Sequence, residues 1–459
     1  MASGLESPPA EEARFGLAPD IAKKIEEALE AGRTSDIHTL ISPLHVADIA
    51  DLIESLPDER RRMVMASLDA DVIPEVLSYL DEVVREDLLE SLEPEQVAKA
   101  ITKLDSDDAV DLIETLEPDE QREVLDAVPA EERAQLEDAL QYPEDTAGRL
   151  MQRELVAVPI GWTVGDTIDF TRTATDLASD FYDVYIIDAA HKPLGAVPLS
   201  RVLRSSRDIS LADIMDRELR LVPATMDQEE VAYLFRKYGL IAAPVVDNQG
   251  RLVGVITFDD AVRVIEEEAE DDLLKLGGVR EDDLYSATVD TTKARMPWLA
   301  VNLGTALLSS AVIGLFEGAI ERIVALAVLM PIVASMGGNA GTQSLTVAVR
   351  ALATKELGSA NARRVLGKEV LVGLANGLTF ALLTGAVAWI WFRDIGVGTV
   401  LAMAMIANLM IAAFMGVTIP LVLERLKIDP AVASGVFLTA ITDVVGFGVF
   451  LGLAALFLL

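Results

Sequence analysis

Five long apolar runs fill the last third of this 459-residue chain, at 297–316, 323–349, 370–392, 397–423 and 431–459. Each is near or above the roughly 20 residues that a helix needs to cross a bilayer, which predicts five α-helical spans. The last run holds one ionisable side chain, Asp443, near its middle. At hydrocarbon depth a charge costs about 2.5 to 3.5 kcal/mol on insertion scales, so this carboxylate should face a bundle interior or a water path. An ion ligand in a pore is the functional reading. A protonated Asp443 hydrogen-bonded to Thr439, Thr442 or a neighbouring helix is the structural one.

Charge divides the chain. Residues 1–292 hold 66 of the 74 acids against 27 of the 38 basic residues, and residues 293–459 hold 8 acids and 11 basic residues. An acidic soluble part therefore precedes a membrane part. Such an excess of acid excludes a nucleic-acid partner, whose phosphates demand a basic surface, and suits a cation. With no cysteine and only His38, His45 and His191, a zinc enzyme is not expected. No Gly-rich phosphate loop of the Walker type occurs, and nothing else marks the chain as an enzyme. No basic segment followed by an apolar core opens the chain, so no cleavable signal peptide is expected.

Residues 1–20 lack apolar periodicity and read as a disordered lead. From 21 to 141 the pattern is of short helices punctuated by prolines, and a motif recurs: ADLIESLPDERR at 50–61, LLESLEPEQV at 88–97 and VDLIETLEPDEQR at 110–122. Helices this short cannot bury an apolar face alone, so they are expected to stack into a superhelical repeat domain.

Residues 142–262 contain an internal duplication. LMQRELVAVP at 150–159 matches IMDRELRLVP at 214–223, and the run 184–203 matches 243–262. Each copy reads as strand, helix, strand, turn, strand, helix, with the turn explicit at Asp247-Asn248-Gln249-Gly250. This tandem pair resembles CBS (α+β) domains. The resemblance implies an adenine nucleotide such as ATP, bound through a Gly-x-x-Thr/Ser-x-x-Asp turn that falls on Gly254, Thr257 and Asp260. The first copy departs, with Gly195, Pro198 and Arg201 at those places.

An amphipathic connecting helix follows at 263–292, expected to end near Gly277-Gly278. Between 256 and 285 lie eleven acids and three basic residues. Such a run is either a solvated face or a sensor in which divalent cations relieve repulsion between like charges. The membrane domain occupies 293–459. With the acidic part in the cytoplasm, nine Lys and Arg fall in inner loops against Arg322 and Arg393 outside, which predicts a cytoplasmic N-terminus and, with an odd span count, an outer C-terminus.

Polar residues inside the spans complete the pattern. The second carries GGNAGTQS at 337–344, whose glycines allow close helix approach and whose Asn339, Thr342, Gln343 and Ser344 offer oxygens or interhelical hydrogen bonds. The fourth carries Asn408 and Pro420, and Asp429-Pro430 is a helix-start signal with Asp429 as cap. Glu317 and Glu321 bracket a short outer turn.

GGNAGTQS, the ANL at 407–409 and IDPAVASGVFLTAITDVVGFG at 428–448, in this order of parts, resemble the MgtE family of magnesium channels and transporters. The resemblance implies a homodimer in a cell (inner) membrane, a Mg²⁺-selective pore along the subunit interface, and closure by cytosolic Mg²⁺. It places a pore ligand at Asp443 with the Thr439 carbonyl one turn earlier, and lining at Asn339 and Asn408. Regulatory Mg²⁺ ligands would fall on Asp107, Asp111, Asp227, Glu229, Asp259, Glu266, Glu270 and Asp429. Gly435 and Thr342 stand where some relatives have asparagine. A CBS-regulated transporter of another divalent cation or a proton-coupled solute, or a membrane nucleotide sensor without transport, remains the alternative.

Overall fold

The computed structural model describes residues 19–174, 177, 181–279 and 288–459. The expected disordered lead, apart from its last two residues, and Glu281, Asp282 and Asp283 of the acidic run lie outside them. The chain forms two compact units, residues 1–266 and 267–459.

In the first unit, ten helices run from α1 (Pro19–Glu30) to α10 (Ala130–Ala139). The repeated motif is a joint: LLESLEPEQV ends α6 (Glu82–Leu89) and starts α7 (Pro94–Ile101), and VDLIETLEPDEQR ends α8 (Ser106–Glu114) and starts α9 (Pro118–Ala127). Proline sits in the first turn of α7 and α9, where its missing N–H costs nothing. Three residues on, Gln96 accepts from the Glu93 N–H at 3.1 Å and Glu120 from that of Glu117 at 3.3 Å. The apolar face of each helix is then buried against its neighbours through Val84, Leu88, Val97, Ile101, Leu112 and Ile113.

The duplication appears as two three-stranded sheets of the same strand order, and the pair forms the CBS part. After α11 (Ala147–Leu150), β1 (Val156–Pro159) pairs parallel with β2 (Asp183–Ile187), which pairs antiparallel with β3 (Pro193–Pro198). The helices are α12 (Val164–Thr173), α13 (Leu199–Arg204) and α14 (Leu211–Ile214). In the second copy β4 (Val222–Pro223), β5 (Ala242–Val246) and β6 (Leu252–Thr257) repeat the order around α15 (Gln228–Tyr238). The predicted turn is there, with Gly250 at φ +76° and Asp247 Oδ1 accepting from the N–H groups of Gln249 and Arg251. The copies exchange their leading segments. Gln152 and Val255 trade backbone hydrogen bonds at 2.8 Å, and Ala196 and Asp216 do the same at 2.9 and 3.0 Å. Met151 thereby rests on Gly254 and Met215 on Gly195. A Cβ at either glycine would come within 2.6 to 2.7 Å of the methionine sulfur, so both copies need glycine there.

The helix α16 (Phe258–Gly277) both closes the second copy and supplies the connecting helix. It begins earlier than the expected 263 because Ala261 and Val264 are core residues of that copy, so one helix serves both ends.

The second unit contains α17 (Thr288–Gly314), the short α18 (Glu317–Arg322), α19 (Ala325–Ala353), α20 (Ala362–Phe392), α21 (Ile395–Arg425) and α22 (Pro430–Phe457). Among the described residues, five helices are long and apolar enough to cross a membrane. The stretch expected as an outer turn between Glu317 and Glu321 is the helix α18. Small residues set the packing of α20 on α21: a Cβ at Gly373 would lie 2.7 Å from Ala413 Cβ, and at Gly385 3.0 Å from Gly398 O. The buried stripe of α20 continues through Gly377, Ala381 and Ala388 and is headed by Glu369.

Candidate functional site

Asp443 lies half-buried at mid-helix in α22, with no hydrogen-bond or ion-pair partner among the described residues. The structural reading needed a bond to Thr439, Thr442 or a neighbouring helix, and no described residue of another helix bonds Asp443. Neither hydroxyl makes it: Thr439 Oγ1 donates to Gly435 O at 3.0 Å, and Thr442 Oγ1 donates to Leu438 O at 3.0 Å and Thr439 O at 3.1 Å. The Thr439 carbonyl, expected as a second ion contact, is thus already an acceptor. Gly435, Thr439 and Asp443 recur every fourth residue and stay partly or wholly exposed. On α19, Asn339, Thr342 and Thr346 are likewise exposed. Polar stripes turned outward from a bundle at bilayer depth are unsuited to lipid.

Asn408 is different. Expected to line a conduit, it is fully buried where α19, α21 and α22 meet, and its Nδ2 donates to Val333 O at 2.8 Å. Its position is set by Gly337 and Gly446, whose missing side chains leave its niche. Sequence reading missed a second buried polar contact: Ser344 Oγ donates to Glu369 Oε2 at 2.9 Å. Glu369 lies one residue outside the apolar run at 370–392 and so escaped notice as a span residue.

The acids expected to sense cations are partly brought together within residues 1–266. Asp107 is buried on α8, and its Oδ1 has no hydrogen-bond partner among the described residues. Burial first, then the neighbouring Asp260 and Asp108, hold its carboxyl well above the usual carboxylate range. Burial also raises Asp108 and Asp260, against the pull of Arg263, which reaches Asp108 at 3.4 Å and Asp260 at 3.2 Å. Asp259 lies in the same field. Asp111 is nearby but engaged, held by both guanidinium nitrogens of the buried Arg85 at 2.7 and 3.3 Å. Asp108, Arg263 and Arg85 were not singled out from sequence; the spacing of Arg263 three residues after Asp260 was the available signal.

The remaining predicted ligands stand apart from that cluster. Asp227 caps α15 by accepting from Glu229 N–H at 3.0 Å, and both residues are exposed. Glu266 and Glu270 are exposed, one turn apart on α16. In the second unit Asp429 caps α22 as expected, its Oδ1 accepting from Ala431 N–H at 2.8 Å. Its Oδ2 lies 2.9 Å from Lys275 Nζ. Desolvation opposes that ammonium, and the hydrogen bonds to Asp271 and Asp429 outweigh it, raising Lys275 above its ordinary range. Among the described residues no group of three acids forms a ready metal cage.

Thr257 and Asp260, expected to hold a nucleotide, bond each other, Thr257 Oγ1 donating to Asp260 Oδ2 at 2.7 Å. Thr257 lines a cavity of about 20 Å³ between the CBS copies with Gln152, Glu154, Tyr182 and Tyr185, and Asp260 does not. The nucleotide contact expected of Asp260 therefore meets a carboxylate whose oxygens are taken by Thr257 and Arg263.

Comparison with known proteins agrees with this layout. The family model for MgtE, described as a divalent cation transporter, matches residues 330–453; that for the MgtE intracellular N domain matches 44–145; and a CBS domain model matches 211–267. The magnesium transporter MgtE of Thermus thermophilus is 36% identical over 449 residues, covering 95% of this chain and 98% of that protein. That of Bacillus subtilis is 29% identical over 431 residues, covering 94% and 96%. A crystal structure of the cytosolic domain of the Mg²⁺ channel MgtE in complex with ATP matches with a TM-score of 0.50 at 32% identity, covering 53% of this chain and 99% of that one. With its helical N-terminal domain, CBS pair and five membrane-spanning helices, the chain belongs to the MgtE family of magnesium transporters.

Proposed function

We propose that two copies of this chain form a pore in which paired Asp443 carboxylates carry hydrated Mg²⁺ into the cell. The observation that carries the reading is a mid-span carboxylate with no hydrogen-bond or ion-pair partner among the described residues, on a polar stripe that faces outward. A second copy would cover both stripes and set two negative charges before a dication. Mg²⁺ gives up water reluctantly, so one carboxylate per subunit suffices when carbonyls and hydroxyls meet the water shell. The membrane potential, worth about 2.3 kcal/mol per charge per 100 mV, drives the ion inward with no hydrolytic step. In this reading the N-terminus is cytoplasmic and the C-terminus outside.

Cytosolic Mg²⁺ closes the pore by bridging acids that otherwise repel, which shifts the population toward a compact state. The Asp107 oxygen that has no hydrogen-bond partner among the described residues fits such an ion, and Asp107 and Asp259 are the carboxylates that would hold it, joined by Asp260 only after loss of its bond to Thr257 or Arg263. Asp111, Asp227, Glu229, Glu266, Glu270 and Asp429 remain further candidates, each after loss of its present partner where it has one. An adenine nucleotide at the CBS cleft is supported by the ATP complex of the solved relative. Thr257 and the exposed ring of Tyr182 would contact it once the cleft widens.

The test is Mg²⁺ flux into proteoliposomes. Wild type should conduct, and Asp443→Asn should fall to the background of empty vesicles. Undiminished flux through Asp443→Asn overturns the reading.

A further inference from the structure

Within residues 267–459, the end of α16 is docked at the start of the helix that carries Asp443. Lys275 pairs both with Asp271, one turn back on α16, and with Asp429, the cap of α22. Leu276 packs in a cluster with Leu345, Leu423, Ala431 and Leu438. Gly278, at φ +69°, lies against the Trp298 indole, where a Cβ would overlap the ring. Both oxygens of Asp429 are in use, one by the Ala431 N–H and one by Lys275.

We propose that Lys275 is a tethered rival of Mg²⁺: it occupies Asp429 and Asp271, so a divalent cation gains these membrane-edge carboxylates only by displacing it. This inference rests on the reading that cytosolic Mg²⁺ closes the pore, and it names what sets the threshold. One ammonium leaves the carboxylates of Asp271 and Asp429 with net negative charge. A hydrated dication neutralises both, so exchange becomes favourable as Mg²⁺ rises. Lys275 thereby holds α16 on α22 while Mg²⁺ is scarce, and it raises the concentration at which the ion takes over. Because the pair is only partly buried, the ammonium can leave into water.

The experiment compares full-length wild type, Lys275→Gln and Lys275→Arg in planar bilayers, with Mg²⁺ varied on the side of the N-terminal domain. Lys275→Gln should close at a Mg²⁺ concentration about two- to five-fold lower, the range expected for loss of a part-exposed ion pair. Lys275→Arg should stay near wild type, and Lys275→Gln should bring no further shift in an Asp429→Asn background. A midpoint for Lys275→Gln equal to or above that of a normally closing wild type overturns this inference alone. A wild type that does not close with Mg²⁺ overturns the gating reading and the inference with it. Protection from protease by Mg²⁺ in detergent gives the same midpoints without requiring current, and the same outcomes apply.

Discussion

Asn408 donates to the Val333 carbonyl at 2.8 Å from a niche in which Gly337 and Gly446 supply no side chain. Three membrane helices meet at this amide, three residues along α22 from Asp443. Its Oδ1 is buried and without a donor among the described residues. The contact therefore fixes the depth and rotation of α22 more by shape than by hydrogen-bond energy.

That shape makes an unusual prediction for a pair of substitutions. Gly337→Ala should lower stability by about 1 to 3 kcal/mol through overpacking against the Asn408 amide. Asn408→Ala should cost about 0.5 to 1.5 kcal/mol for the lost hydrogen bond. Together they should cost less than their sum, because the new methyl fills the vacated space. Thermal unfolding in detergent measures this, and strict additivity would contradict the niche.

Ser344 and Glu369 give a second test. Ser344→Ala strands a buried carboxylate and should cost about 1 to 3 kcal/mol. Glu369→Gln keeps the shape and an acceptor for the serine hydroxyl, so it should cost less. An unfolding temperature for Ser344→Ala equal to wild type would show that the hydrogen bond contributes nothing.

Acidity should act through Asp107. Its folded carboxyl is held above its unfolded value, so it contributes stability that is complete below the unfolded pKa of about 3.9 and is lost as pH rises through the folded value. Without Mg²⁺, the unfolding temperature of the full chain should therefore rise between pH 7 and pH 5. Asp107→Asn should be more stable than wild type at pH 7 and should flatten that rise. A variant that tracks wild type across this window would remove Asp107 as the cause.

Asp111 calls for care in mutagenesis. It is the bidentate partner of the buried Arg85, so Asp111→Ala should cost about 1.5 to 3 kcal/mol in the absence of any metal. Urea titration in Mg²⁺-free buffer checks this. A loss that appears only with Mg²⁺ present would instead make Asp111 a metal ligand first.

Much of the architecture was legible because it is written in local patterns. Pro94 and Pro118 marked helix starts, and the matched LMQRE and IMDRE segments marked two copies of one fold. Asp429-Pro430 marked the start of α22. What stayed hidden depends on distance along the chain. Asp107 meets Asp260, Arg85 meets Asp111, and Ser344 meets Glu369 across separations that no periodicity spans. Asn408 read as a candidate lining residue because a polar group in an apolar run carries no sign of which way it faces.

The sequence alone determined that five helices must cross a bilayer and that an acidic, duplicated part precedes them, since apolar length and charge act through composition. It also singled out Asp443, because one carboxylate in an apolar run is conspicuous whatever surrounds it. Only the tertiary structure decided which acids are free and which are already held. Burial, a guanidinium or an ammonium arriving from elsewhere in the chain, and the absence of a side chain at Gly337 and Gly446 settle that, and each is a property of contact.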